Sequence, residues 1–317
     1  MMPTRRTTIA AALVAAGERG VSGEVLAREL GVSRVAVSKH VAALRELGYE
    51  IESARRVGYR LVSAPDACLP EEVAPRLTDP LWVACEGGAV VGSTNDEARR
   101  LARSGAPEGT VVVAAEQIAG RGRFDRTWIS PPGGAYCSAL VRPPIAPSSA
   151  GPLPLVVAIG VARGLDTLGL ETGLKWPNDI VVDGRKLAGI LVEMAADSDR
   201  VQWAVAGVGI NVAFAPDSGA AAVREQTPDV RVAAVAAAAL DGLAEAYWQF
   251  REDGFRGALA AEYHERGAIW GREVTVRDMG GATVARGVAR GVDSSGALRL
   301  DAAGSTVVVH SGEVTLR

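Results

Sequence analysis

Residues 175–193 have the sequence KWPNDIVVDGRKLAGILVE, in which the pair Asp183-Gly184 separates two apolar runs. An aspartate-glycine pair in this position favours a tight turn, so the stretch predicts a β-hairpin. The hairpin brings Lys175, Asp179 and Lys186 into one neighbourhood. A lysine inside an apolar strand is costly unless its charge is paired or used. We therefore interpret Lys186 as a functional cation, and a structural salt bridge from Asp179 to Lys186 is the alternative.

The chain around this hairpin alternates between β-rich runs and helical stretches from Leu81 onward, which indicates an α/β or α+β domain. The β-rich runs are 109–115, 180–182 and 201–208, and the helical stretches are 95–104, 153–168 and 231–250. None of the three lysines follows a glycine, so there is no Walker A loop. Residues 207–211 carry only two of the three Rossmann glycines. The histidines are scattered, and no His/Asp/Glu cluster has metal-ligand spacing.

A loop that alternates arginine with glycine lies at 116–123 (EQIAGRGR) and is followed by Arg126 and Trp128. Such a loop places fork-shaped cations beside a backbone that can approach an anion closely. Its free N–H groups can bind phosphate or carboxylate oxygens. We interpret it as an anion-binding loop that is poorly ordered without ligand and closes over substrate. The alternative is a flexible surface loop with solvated arginines.

The sequence Gly92-Ser93-Thr94-Asn95 leads into a predicted helix at 96–103. Short hydroxyl and amide side chains at the start of a helix usually act as caps. Three such side chains in a row exceed what capping needs. Capping and the binding of a small polar head group, such as a urea or an amide, are therefore equally weighted interpretations.

The first 63 residues form a basic segment, with ten basic and six acidic residues on a chain whose net charge is −3. Predicted helices span 7–16, 23–30 and 34–47; Ser22 and Ser33 cap the second and third, and a glycine ends each of the three. A β-hairpin wing is predicted at 49–62. Together these elements indicate a winged helix-turn-helix whose second helix can enter a DNA major groove. A three-helix interaction module with a solvated polar face is the alternative. The predicted DNA-contacting residues are Ser33, Arg34, Ser38, Lys39, Arg45, Arg55 and Arg56.

Four prolines interrupt residues 63–80, and we predict a linker at 64–80. The chain is 48% hydrophobic and 22% charged, which is ordinary for a soluble globular protein. Its apolar runs are shorter than a membrane span, and its three cysteines support neither a disulfide framework nor a zinc site. We therefore expect a cytoplasmic protein with no membrane partner.

Five motifs in residues 92–211 resemble those of biotin–protein ligases, in that family's order: GSTN, QxxGRGR, KWPND, RKLAGILVE and GxGxN. The stretch SRVAVSKHVAALRELG and the wing resemble the DNA-binding part of the bifunctional ligase-repressors, the class II enzymes. The tail from about Gly267 resembles their small SH3-like β-barrel. The resemblance implies a multi-domain α/β protein: a winged helix-turn-helix at 1–63, the linker at 64–80, a mixed α/β ligase domain at 81–266 and the barrel at 267–317.

The resemblance also implies the chemistry: ATP and biotin give biotinyl-5′-adenylate and pyrophosphate, and the acyl group passes to a lysine of a biotin carboxyl carrier protein. Lys186, Arg123 and Asp179 are the implied catalytic residues, with Asp179 orienting or deprotonating the incoming amine. The implied biotin-binding residues are Ser93, Thr94, Asn95, Gln117, Gly120, Arg121, Gly122, Arg123 and Lys186. The implied ATP- and adenylate-binding residues are Arg121, Arg123, Arg126, Trp128, Asn178, Lys186 and Asn211.

Further expectations follow from the same resemblance. Mg²⁺ is expected on the ATP phosphates rather than on a protein metal site. Operator DNA is an expected partner, and homodimerisation is expected when the adenylate binds. Phe124-Asp125 stand where bifunctional members often carry a further arginine and glycine after GRGR, which predicts a weaker grip on the intermediate. The alternatives are a ligand-sensing transcription regulator without ligase activity, and a lipoyl ligase-like enzyme.

Overall fold

The computed structural model of the protein describes residues 4–54 and 57–316. Its N-terminal part has three helices followed by a two-stranded antiparallel wing. They are α1 (Arg5–Ala16), α2 (Gly23–Leu30), α3 (Arg34–Glu46), β1 (Glu50–Ala54) and β2 (Gly58–Ser63). The hydroxyls of Ser22 and Ser33 accept backbone N–H groups of the helices that they start, as predicted. Gly31 ends α2 in the left-handed conformation, with φ 63°.

A small hydrophobic core holds this N-terminal part together. Val37, Val41 and Leu44 of α3 are fully buried, so the predicted inward stripe is confirmed. They pack in one cluster with Ile9 and Leu13 of α1. The opposite face of α3 is left to solvent.

The proline-rich segment after β2 is packed against its neighbours. Pro70 occupies the first turn of a short helix, α4 (Pro70–Val73), where its missing N–H costs nothing. The side chains of Glu71 and Glu72 are buried, and they accept hydrogen bonds from Arg6 of α1 and from the Tyr49 hydroxyl respectively. The residues that the sequence predicted only as a linker therefore join the N-terminal part to the central domain through buried contacts.

The central domain is built on a seven-stranded mixed sheet in the order β3-β4-β5-β9-β8-β7-β6, in which the edge pair β3 and β4 is parallel and the other pairs are antiparallel. Its strands are β3 (Ala84–Val91), β4 (Thr110–Gln117), β5 (Gly134–Val141), β6 (Gly173–Lys175), β7 (Asp179–Val182), β8 (Arg185–Ala196) and β9 (Val201–Asn211). Its helices are α5 (Thr94–Arg103), α6 (Leu153–Asp166), α7 (Val232–Asp253) and α8 (Gly257–Glu265).

Alternation along the strands decides which face each helix covers. Val111 and Val113 of β4 belong to the large core under α6 and α7, whereas Val112 belongs to a smaller core under α5. Helices α6 and α7 cross at glycine: a Cβ atom on Gly164 would lie 2.0 Å from the carbonyl oxygen of Ala238. Helix α5, whose first turn carries the Ser-Thr-Asn sequence, covers the sheet face opposite to α6 and α7.

The predicted hairpin is confirmed, with β7 and β8 antiparallel and joined through Asp183 and Gly184, both at positive φ. A five-stranded antiparallel sheet completes the chain, in the order β13-β12-β11-β10-β14. Its strands are β10 (Glu273–Arg277), β11 (Thr283–Val292), β12 (Leu298–Ala302), β13 (Ser305–Val309) and β14 (Glu313–Leu316). Over the described ranges, none of the helices has the length and apolarity that a membrane span requires.

Candidate active site

A cavity of about 400 Å³ lies between the central sheet, the loop after β4 and the start of β14. This volume is within the usual range for a small-molecule site. The cavity gathers most of the predicted ligand-contacting residues: Ser93, Thr94, Asn95, Gln117, Arg121, Gly122, Arg123, Arg126, Trp128, Asn178, Asp179 and Lys186. Gly120 and Asn211 do not line it. Polar neutral side chains occupy one end, where Arg121 is paired with carboxylates, and Arg123, Arg126, Lys175 and Lys186 occupy the other.

The neutral end is formed by the first turn of α5. Ser93, Thr94 and Asn95 are buried. Among the described residues, no side chain makes a capping hydrogen bond at the start of this helix. The Thr94 backbone N–H and hydroxyl both donate to Gln117 Oε1, at 2.8 and 3.1 Å. The capping interpretation is therefore wrong, because Ser93 makes no cap bond and the side chains of Thr94 and Asn95 bond to strands of the sheet.

Asn95 is held from both sides. Its Nδ2 donates to the Leu191 carbonyl at 3.3 Å and to a Glu193 carboxylate oxygen at 3.0 Å. Its Oδ1 accepts the Ser138 hydroxyl at 2.7 Å. The amide rests on bare backbone, because a Cβ atom on Gly207 would lie 2.0 Å from Asn95 Oδ1. Sequence reasoning assigned no role to Ser138 or Glu193.

Gln117 is oriented by a second short chain of hydrogen bonds. Its Nε2 donates to the Ser130 hydroxyl at 2.9 Å, and that hydroxyl donates to the Trp128 carbonyl at 2.9 Å. Gly120 packs under these hydrogen bonds, where a Cβ atom would lie 2.5 Å from Ser130 Oγ. Gly120 therefore supports the site without facing the cavity. Ser130 was also missed from the sequence.

The arginine-glycine loop is folded on itself in this structure. Gly122 N–H donates to the Arg126 carbonyl at 2.7 Å, and Trp128 N–H donates to the Gly120 carbonyl at 2.9 Å. Phe124 and Asp125 lie at φ 57° and 56°, the left-handed region that non-glycine residues seldom adopt. These backbone bonds and left-handed residues define the loop conformation, and its closing over a bound substrate stays a prediction.

The three loop arginines point to different partners. Arg121 pairs with Asp96 at 2.8 Å and with Glu193 at 2.6 Å, on the α5 side of the cavity. Arg123 donates to the Gly312 carbonyl at 3.2 Å, and burial lowers the pKa of its guanidinium. Arg126 pairs with Glu313, which also lines the cavity and was missed from the sequence. The C-terminal domain therefore closes one side of the site.

Lys186 lies at the centre of the cationic end. Its Nζ is 2.6 Å from Asp179 Oδ1 and 5.2 Å from the centre of the Trp128 ring. The salt bridge considered from the sequence is therefore present, and the Lys186 side chain is still 39% exposed to the cavity. An accessible, paired lysine can exchange its carboxylate partner for a bound anion. Lys175, which lies opposite Asp179 in the antiparallel register of β6 and β7, lines the same end.

Trp128, Asn178 and Asn211 were predicted as adenylate contacts. The Trp128 indole lies over the glycine backbone of β8 and β9, where a Cβ atom on Gly209 would be 2.4 Å from its Nε1. That Nε1 is buried and has no hydrogen-bond partner among the described residues.

Asn178 Nδ2 donates to the Ile190 carbonyl at 2.8 Å and fixes the hairpin beside the cavity. Asn211 is buried and donates to the Lys186 carbonyl at 3.3 Å, so it holds the lysine backbone from outside.

A metal site of protein ligands does not form in this region. Within residues 4–54 and 57–316, no group of three or more His, Cys, Asp or Glu side chains is arranged to hold a metal ion. Arg123, Arg126, Lys175 and Lys186 outnumber the two carboxylates of Asp179 and Glu313 at the cationic end. The arrangement suits a ligand that is itself anionic at this end.

The N-terminal helix α3 presents Arg34, Ser38 and Lys39 to solvent, as predicted. Arg45 is exposed, but its guanidinium donates to the Ile51 carbonyl of the wing, at 2.6 Å from Nη2. The Ser33 hydroxyl caps the helix. Arg55 and Arg56, also predicted to contact DNA, lie outside the described residues.

Comparison with known proteins was made with this geometry in view. Residues 87–211 match the family described as biotin/lipoate A/B protein ligase, residues 5–60 match an HTH domain, and residues 269–317 match the biotin protein ligase C terminal domain. The chain is 33% identical to the bifunctional ligase/repressor BirA of Bacillus subtilis over the full length of both. It is 32% identical to the BirA of Escherichia coli, over 96% of this chain and 95% of that protein.

A similar solved structure is the biotin protein ligase from Aquifex aeolicus in complex with biotin and ATP, with a TM-score of 0.63 and 27% identity. The match covers 74% of this chain and 99% of that one. Over the matched part, this chain therefore shares its fold with a protein whose structure contains biotin and ATP.

Proposed function

The chain belongs to the biotin protein ligase family, and from this membership we propose that the cavity joins biotin to AMP and passes the biotinyl group to a carrier protein. In the first step, a biotin carboxylate oxygen attacks the α-phosphorus of ATP, and pyrophosphate leaves. In the second step, a lysine amine of the carrier attacks the acyl carbon, and AMP leaves. The observation that carries the proposal is the division of one cavity into a neutral hydrogen-bonding end and a cationic end.

The neutral end suits the ureido head of biotin. Buried Ser93 and Asn95 and half-buried Gln117 offer hydroxyl and amide groups, where each bond to a ligand replaces one to water. A lipoyl dithiolane ring has no N–H or C=O group to occupy such a subsite. The hydrogen-bonding capacity that these groups keep for a ligand, such as the second lone pair of Asn95 Oδ1, would then be unused, and this favours biotin over lipoate.

The cationic end suits the reacting atoms. Two anions, the carboxylate and the α-phosphate, repel as they approach each other, and Lys186 and Arg123 would neutralise the charge that accumulates. As Lys186 turns to the phosphate, its partner Asp179 is released from the 2.6 Å ion pair. The free carboxylate would then orient the incoming carrier lysine and accept its proton. Asp179 thus changes partner between the two steps.

Mg²⁺ would arrive on the ATP phosphates and offset the charge of the leaving pyrophosphate. Asp179 and Glu313 supply carboxylate oxygens at the cationic end, which are ligands of the kind that Mg²⁺ accepts beside phosphates. A carrier protein with an exposed lysine is the expected acyl acceptor.

The N-terminal domain would make the same chain a repressor of biotin genes. Exposed Arg34, Ser38 and Lys39 lie on the second helix of the helix-turn-helix motif, where operator contacts are made. We further propose that the adenylate promotes homodimerisation, which would pair two such helices on one operator. Since α4 packs the N-terminal part on the central domain through buried contacts, the DNA-binding surface is held in a fixed relation to the cavity.

We expect Lys186→Ala to lower the rate of biotinyl-adenylate formation at least about 100-fold, because the variant removes the central charge of the reacting end. Adenylate would be measured by thin-layer separation of labelled ATP products, and folding by urea denaturation. Arg185→Ala is the matched control, since Arg185 is the next residue and pairs with Glu225 at 2.6 Å outside the cavity. Unchanged adenylate formation and carrier biotinylation in Lys186→Ala would contradict the proposal.

A further inference from the structure

Glu193 lies near the end of β8, where it accepts three donors from two elements of the site. Its carboxylate is 3.0 Å from Asn95 Nδ2, 2.7 Å from Arg99 Nη1 and 2.6 Å from Arg121 Nη2. Asn95 and Arg99 belong to α5, and Arg121 belongs to the arginine-glycine loop. One carboxylate therefore connects the head-group end of the cavity to the loop that covers its cationic end.

The first consequence concerns the orientation of the Asn95 amide. Both hydrogens of its Nδ2 are taken, one by the Leu191 carbonyl and one by Glu193. A reversed amide would place Oδ1 against these two acceptors, so the observed orientation is fixed. What Asn95 still offers a ligand is a lone pair on Oδ1, which can accept an N–H but cannot satisfy a carbonyl.

The second consequence concerns Arg121. Its guanidinium bridges Glu193 and Asp96, and its side chain is 33% exposed. The sequence predicted that Arg121 closes over the ligand carboxylate and α-phosphate. In this structure Arg121 anchors the loop to α5, and Arg123 and Lys186 remain as the cations beside the reacting end.

The charge state of Glu193 agrees with this geometry. Burial by itself raises the pKa of a carboxyl group. At Glu193 the Asn95 hydrogen bond and the charges of Arg121 and Arg99 outweigh burial and hold the pKa below its usual range. The group is therefore a carboxylate at neutral pH, which makes its three hydrogen bonds charge-assisted.

We propose that Glu193 is a positioning residue that couples head-group recognition to loop closure: it fixes the accepting face of Asn95 and holds Arg121 of the loop with the same carboxylate. The inference rests on the proposed ligase function. A ligand N–H that binds Asn95 Oδ1 stabilises the amide orientation that Glu193 holds, and this in turn favours the Glu193 position that pairs with Arg121. A merely structural ion cluster would hold the fold together without this dependence on the ligand.

The test uses the full-length chain with biotin as the probe. In Glu193→Gln we expect the affinity for biotin, measured by calorimetry, to fall about tenfold, since charge-assisted bonds to Asn95 are weakened. The KM for biotin should rise while the KM for ATP changes little. Trypsin cleavage after the loop arginines should be slowed by saturating biotin in the wild-type protein and not in Glu193→Gln.

Asp96→Asn is the matched control, because Asp96 is the other carboxylate on Arg121 and, among the described residues, its carboxylate makes no hydrogen bond to the Asn95 amide. It should loosen the loop towards trypsin but leave biotin affinity within about twofold. Arg121→Gln keeps the pair of Asn95 and Glu193 and should lose the protection by biotin; it serves if Glu193→Gln does not fold.

Three results would overturn the coupling: wild-type affinity in Glu193→Gln, an equal loss of affinity in Asp96→Asn, or intact protection by biotin in Arg121→Gln. If the wild-type protein itself binds no biotin, the proposed function fails and the role of Glu193 fails with it. If the wild-type protein binds biotin and the variants behave like it, only the role of Glu193 is lost.

Discussion

Two single residues, Gly207 and Asn95, form the floor of the neutral end of the cavity. The Asn95 amide lies so close to the β9 backbone that a methyl group has no room between them. The amide is then buried and bonded on both its oxygen and its nitrogen. The shape of this subsite therefore depends on one missing side chain as much as on the polar groups around it.

We expect Gly207→Ala to weaken biotin binding at least about tenfold, because the new methyl group would lie 2.0 Å from Asn95 Oδ1 and must displace the amide. ATP binding should change little, since the cationic end lies elsewhere. Calorimetry with each ligand measures both effects. Gly88→Ala on β3 is the control, because its Cβ atom meets no described atom within 4 Å. Equal biotin affinity in both variants would refute the assigned floor.

The sequence predicted single residues well where one strand or turn carries them. Lys186 and Asp179 face each other across a hairpin whose turn is written in two adjacent residues. Ser138 and Glu193 escaped prediction because their partners lie 43 and 98 residues away. One clue was available: Ser138 alternates with Cys137 along a fully buried strand and thus faces the α5 side. A buried hydroxyl needs a partner, and that requirement pointed to the site.

Among the elements, α3 was predicted to within one residue at its end, because caps and apolar spacing are local properties. The arginine-glycine loop was predicted in composition but not in conformation. Its order comes from contacts with α5 and with β14, which no local pattern encodes. Arg45 illustrates the same limit, since its exposure follows from helix spacing whereas its bonds to the wing depend on the tertiary fold.

For helix α3, we expect DNA binding in the presence of biotin and ATP to weaken as salt rises, because phosphate contacts release counterions. Lys39→Ala should reduce the slope of log affinity against log salt by about 0.9 per bound subunit. The measurement is fluorescence anisotropy with a labelled DNA duplex that has been selected for binding from a random-sequence pool. Arg200→Ala, an exposed arginine in the turn between β8 and β9, should leave the slope unchanged. An affinity that is independent of both ligands and salt would exclude the repressor role.

The whole molecule places both flanking domains in contact with the catalytic domain. On the N-terminal side the contact runs through α4: Tyr49 donates to buried Glu72 at 2.6 Å, Val73 of the same helix packs in the central core, and burial raises the pKa of the Tyr49 hydroxyl. On the C-terminal side, Gly312 and Glu313 hold two of the loop arginines. These contacts between domains could not be predicted from the sequence, because each joins residues that are far apart in the chain. The arginine-glycine loop therefore contacts both the central domain and the C-terminal domain.

The most direct test of the central claim, that one cavity activates biotin with ATP, is exchange of labelled pyrophosphate into ATP without any carrier protein. Exchange requires reversible formation of the adenylate, so it isolates the first step. We predict that label enters ATP when biotin is present. We predict no exchange when lipoate replaces biotin or when neither carboxylic acid is added. Exchange without biotin, exchange supported equally by lipoate, or no exchange with biotin would contradict the account.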